Sequence, residues 1–76
     1  MKEFTGGKEV ISRIMEAYGF ANRKLLAEHL GMPHSTFGTW AKRNFFPAEL
    51  VIRCVQETGA RLDYVAYGEK ITFSPS

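Results

Sequence analysis

The 76-residue sequence predicts an all-α domain, a compact five-helix bundle. Three observations predict it. Apolar residues recur at intervals of three and four in successive blocks, which gathers them on one face of a helix turning about 100° per residue. Glycine, asparagine or proline stands at the ends of those blocks, where helices start and stop. No segment sustains two-residue alternation, and its one trace, "KITF", is too short to matter.

Between Gly7 and Gly19, Val10, Ile11, Ile14, Met15 and Tyr18 form the apolar face of a first helix, with Lys8, Glu9, Ser12, Arg13 and Glu16 on the polar side. Asn22 is a suitable N-cap for a second helix, in which Leu25, Leu26 and Leu30 form the buried stripe and Gly31 the stop. Pro33 fits the first turn of a third helix, where a missing N–H costs nothing, and this puts Met32 at the N-cap. That helix runs to about Arg43, with Phe37, Trp40 and Ala41 inward. Pro47 opens a fourth helix that closes at Gly59, its inner face made of Leu50, Val51, Cys54 and Val55. A short fifth helix from roughly Leu62 to Tyr67 buries Leu62 and Val65 and ends at Gly68.

Composition narrows the function. With 45% hydrophobic and 24% charged residues the chain is globular rather than disordered, and it is one domain at most. A formal net charge of +2 is too mild to identify a nucleic-acid binder, so the placement of the charges must carry that argument. The single cysteine excludes an internal disulfide and fits a reducing cytosol, with Cys54 as a core residue. No apolar run reaches membrane-spanning length, and "MKEFTGG" lacks the features of a signal peptide.

The placement is informative in "LAEHLGMPHSTFGTW", Leu26 to Trp40. Two helices joined by a tight turn containing glycine are the helix-turn-helix arrangement. Ala27 is small where the pair would cross, and Gly31 supplies the left-handed conformation that the turn requires. On the third helix Ser35, Thr39 and Lys42 project opposite Phe37 and Trp40, flanked by Thr36, Gly38 and Arg43. Such a face is short and polar at its start and cationic at its end. It suits base edges in the first half and phosphates in the second.

The candidate base contacts are therefore His34, Ser35, Thr36 and Thr39. His34 is placed either to donate to guanine N7 or O6 or to rest on a phosphate, and the plain alternative is an exposed histidine. The hydroxyls suit either base type or the methyl group of thymine. The candidate phosphate contacts are Arg23 and Lys24 at the start of the second helix, where an anion is favoured, and Lys42, Arg43 and Asn44 at the end of the third. Gly38 weakens its helix by about 1 kcal/mol relative to alanine. It either lets the backbone approach DNA, or packs tightly, or has no role. Arg53 and Arg61 belong to surface elsewhere, and one of Phe45 and Phe46 staples the fourth helix to the core.

These segments also resemble a known family. "GGKEVISRIMEAYGF", "LLAEHLGMPHSTFGTW", "FPAELVIRCVQETGARLDY" and a closing "YGE" are similar, in order and spacing, to the N-terminal helix-turn-helix domain of phage CI-type repressors outside the lambda-like peptidase group. The likeness runs from Gly6 to Glu69, with "ETGARLDYVAYGE" its most specific part. It implies a lambda-repressor-like DNA-binding fold and an operator-binding transcriptional repressor of a temperate phage or prophage, controlling lysogeny. It also implies a separate C-terminal oligomerisation region. The sequence departs from the pattern at Pro33, where such domains often place a serine N-cap.

The expected organisation is a DNA-binding domain over residues 1–70 and a polar tail over 71–76, which is either a terminus or the start of a linker. The expected partners are a double-stranded DNA operator and further copies of the chain, with the recognition helix at about 33–43 in the major groove. Phe45, Tyr64, Tyr67 and Phe73 are the candidates for a dimer contact. No cofactor is expected: His29, His34 and Cys54 lack zinc-ligand spacing, and "GGKE" is not a phosphate-binding loop. No nucleophile with a paired base is evident, so no enzyme is expected. The competing reading keeps the helix-turn-helix scaffold and docks its polar face on another protein.

Overall fold

The computed structural model describes residues 6–68, so the tail at 71–76, the boundary at residue 70 and Phe73 lie outside the described residues. Five α-helices follow in order: α1 (Gly7–Tyr18), α2 (Arg23–Leu30), α3 (Ser35–Arg43), α4 (Ala48–Thr58) and α5 (Leu62–Tyr67). No strand occurs among the described residues. Helix α1 is the hub, packing against α3, α4 and α5, while α4 also packs against α5.

The core is built where the spacing places it. Val10, Ile11 and Ile14 from α1, Leu26 and Ala27 from α2, Phe37 from α3, Leu50, Val51 and Cys54 from α4, and Val65 and Ala66 from α5 form one buried cluster. Phe37 is fully buried, with its ring edge-on to Trp40 at 5.8 Å. Truncating such a phenylalanine to alanine costs about 3–5 kcal/mol. Cys54 is buried as expected, and burial pushes its thiol pKa up while a hydrogen bond with Thr58 opposes the rise.

Two expected core residues lie outside. Leu25 is 40% exposed and Leu62 is 49% exposed. Each of these short helices buries an adjacent pair instead, Leu26 and Ala27 in α2 and Val65 and Ala66 in α5. Leu30 is only partly buried.

The turn between α2 and α3 also departs from expectation. Gly31 takes the left-handed conformation at φ 68°. The Met32 amide donates to Ala27 O at 3.0 Å and the Gly31 amide to Glu28 O at 3.3 Å, the bond pair of a Schellman closure. Met32 thus completes the end of α2 and is not the N-cap of α3. The chain enters α3 through a tighter turn, Thr36 N–H to Pro33 O at 3.1 Å and Phe37 N–H to His34 O at 3.3 Å. His34 occupies the N-cap position, and α3 begins at Ser35, two residues later than Pro33. Pro47 likewise sits at the N-cap of α4, outside its first turn.

Candidate nucleic-acid interface

The surface of α3 follows from how its inner side is held. Phe37 is buried, and Trp40 and Ala41 pack on the core, so Ser35, Gly38, Thr39, Lys42 and Arg43 stand exposed. Thr36 is half-buried at the edge of that face. His34 is exposed just ahead of the helix and makes no capping hydrogen bond with its side chain. The exposed sequence therefore runs from an imidazole through hydroxyls to two cations at the helix C-terminus, where cations are favoured.

The second group of cations starts α2. Asn22 caps this helix by accepting the Leu25 amide at 3.0 Å, which fixes Arg23 and Lys24 in the first turn with no acidic residue beside them. Among the described residues none of Arg23, Lys24, Lys42 and Arg43 has an ion-pair partner within 4.0 Å. Arg53 differs: its Nε lies 3.4 Å from Glu57 Oε1. The four helix-turn-helix cations thus have their charge available for an external anion.

Asn44 has a structural task that sequence reasoning missed. It ends α3 in the left-handed region at φ 56°, and its Oδ1 accepts the Gly7 amide at 2.8 Å, closing the start of α1. The side-chain oxygen is thereby committed, and only the amide nitrogen remains for a phosphate. Gly7 is needed because the α1 terminus approaches so closely: a Cβ there would stand 2.8 Å from Trp40 O and 2.9 Å from Phe45 O. Phe45 closes the end of α3 through its amide to Trp40 O at 2.9 Å and its ring 5.2 Å from the Trp40 ring. Phe46, packed on the core, is the aromatic that holds the start of α4.

The structure also separates the readings of Gly38. A Cβ at this position would meet nothing within 4 Å among the described residues, so tight packing against them is not its reason. Thr39 Oγ1 donates to Ser35 O at 3.3 Å, one turn back along the helix.

The chain matches the family model described as the bacteriophage CI repressor helix-turn-helix domain over residues 9–73. It belongs to that family. It is 86% identical over all 76 residues to the repressor protein CI of Haemophilus phage HP1 (strain HP1c1), spanning 40% of that protein's length. It is 44% identical over 64 residues to protein ORFi in retron Ec67 of Escherichia coli, 84% of this chain and 32% of that protein. With the repressor protein CI of Escherichia phage 186 it shares 34% identity over 65 residues, 86% of this chain and 34% of that one. The chain therefore spans well under half the length of these relatives. The all-helical bundle and the α2–turn–α3 unit are the physical form of this CI repressor domain, with Gly31 at the turn where the sequence places it.

Proposed function

We propose that this domain binds an operator in double-stranded DNA as the reading head of a transcriptional repressor of a temperate phage or prophage, with control of lysogeny as its role. The observation that carries the reading is the uncovered face of α3, hydroxyl-bearing at its start and ending in Lys42 and Arg43, which no described carboxylate neutralises. In this reading α3 lies in the major groove. His34, Ser35, Thr36 and Thr39 face base edges, and Arg23, Lys24, Lys42, Arg43 and the Asn44 amide nitrogen hold phosphates. The names of the HP1 and 186 relatives support the same assignment. Nothing in the reading calls for a catalytic step or a cofactor.

A single module of this size gives too little affinity alone, so two copies are proposed to occupy half-sites one helical turn apart, about 34–36 Å, or a multiple of it. Phe45, 47% exposed, and the exposed Tyr67 are available for contact between copies, whereas Tyr64 is partly buried and donates from its hydroxyl to Glu16 at 3.0 Å. The site of action is the host cytoplasm; no described helix is long and apolar enough to cross a membrane.

Anisotropy titrations of duplex DNA over a salt series test the proposal. Affinity falls steeply with salt, with a log–log slope of about −0.9 for each phosphate neutralised. Lys42→Ala weakens binding to every sequence alike and lowers that slope by about 1, while Thr39→Ala changes base preference. Binding that ignores salt overturns the assignment and favours a protein-docking face, while identical behaviour of the two variants overturns the sorting of α3 into base and phosphate contacts.

A further inference from the structure

Resting on the operator-binding reading, we propose that α3 recognises a thymine by its 5-methyl group, seated between the methyl of Thr39 and the bare backbone of Gly38. Two observations on different residues converge here. Thr39 is exposed, and its single O–H is already given to Ser35 O at 3.3 Å. With the oxygen turned back along the helix, the group that Thr39 offers outward is its methyl, and it has no proton left for a base acceptor. Gly38 is a helix-interior glycine whose backbone does not require glycine, since its φ is not positive, and whose missing Cβ would touch none of the described residues.

Ser35, Gly38, Thr39 and Lys42 stand at i, i+3, i+4 and i+7, the four positions that frame one hole on a helix surface. The absent Cβ deepens this hole on one side and the threonine methyl lines the other. The thymine methyl is the apolar group that a base pair presents in the major groove, and it has the size of a knob for such a hole. Guanine N7 and O6 call for donors, which position 39 does not supply. Lys42, exposed at the lower rim, is left for a phosphate of the same site.

The test starts from the duplex that the 76-residue chain retains best from a random-sequence pool, with copies in which each thymine in turn is replaced by deoxyuridine. Removing the methyl at one thymine per half-site lowers affinity about fourfold, the worth of one buried methyl group. Thr39→Val preserves the discrimination between thymine and deoxyuridine at that position, and Thr39→Ser abolishes it. Gly38→Ala fills the hole, so affinity for the thymine duplex falls while the thermal unfolding midpoint does not. If every deoxyuridine copy binds as well as the parent, or if Thr39→Ser still discriminates, the proposal is overturned with operator binding intact. A pool from which no duplex is retained, at low salt and at chain concentrations high enough to load both half-sites, defeats the operator-binding reading itself and this inference with it.

Discussion

Asn44 joins two helix ends through one residue, ending α3 in a left-handed conformation and capping α1 through its Oδ1. Asparagine tolerates positive φ better than other residues with a Cβ, and its oxygen satisfies an amide that α1 cannot pair within itself. Asn44→Ala loses both and lowers unfolding stability by about 1–2 kcal/mol, to be read as a shift in the urea midpoint. Asn44→Gly keeps the left-handed turn without strain and isolates the cap, so its loss is smaller. An alanine variant as stable as the parent would show that the Gly7 bond contributes nothing. The cationic character of Asn44's neighbours was legible from residue type alone. The bond to Gly7 was not, because it joins residues 37 apart in sequence.

At the scale of elements, α5 shows what a short helix needs. Six residues do not hold a helix in isolation. Arg13 of α1 donates from its Nε to Val65 O at 2.9 Å and from a terminal nitrogen to Ala66 O at 3.4 Å, occupying carbonyls at the end of α5. This arginine reads as part of a solvated polar face in the sequence, and only the packing of α1 on α5 gives it its targets. Arg13→Met retains most of the apolar stem and removes the donors. Amide exchange in α5 then accelerates while exchange in the buried part of α1 is unchanged; uniform acceleration through the domain would mean that α5 does not open separately. The two-residue late start of α3 is local by contrast: the Thr36 and Phe37 amides bond Pro33 O and His34 O in a tighter turn, so the α-helical pattern begins only at Ser35.

At the scale of the whole molecule, Glu57 ties three helices together. Its carboxylate accepts the Tyr18 hydroxyl of α1, lies 3.2 Å from His29 Nε2 of α2, and pairs with Arg53 on its own helix α4. The Tyr18 ring stacks on Phe20 at 5.4 Å and meets His29 at 4.9 Å, which closes this side of the bundle. The hydrogen bonds from Tyr18 and His29 hold the Glu57 pKa below the ordinary glutamate value. Burial and the neighbouring carboxylate push the Tyr18 phenol above its own. A depressed carboxyl contributes stability above its unfolded value of about 4.3, and that contribution is lost as pH falls through the folded value. A raised phenol contributes below about pH 10, and its share is lost as pH rises beyond that point. The contributions of these two groups are therefore both present between those limits, and one or the other declines on either side. Glu57→Gln flattens the acid limb of a plot of urea midpoint against pH; an unchanged acid limb would remove Glu57 from the account.

The sequence by itself determined the five helices, the left-handed turn at Gly31, most of the core and the polar, cationic side of α3, because spacing and caps are local properties that each segment carries with it. Tertiary structure alone decided that Leu25 and Leu62 face outward, that Arg13, Asn44 and Glu57 are ties between helices, and that nothing in the described chain occupies the space beside Gly38. Those outcomes depend on which partner atoms arrive from distant parts of the chain, and periodicity within one helix holds no record of them.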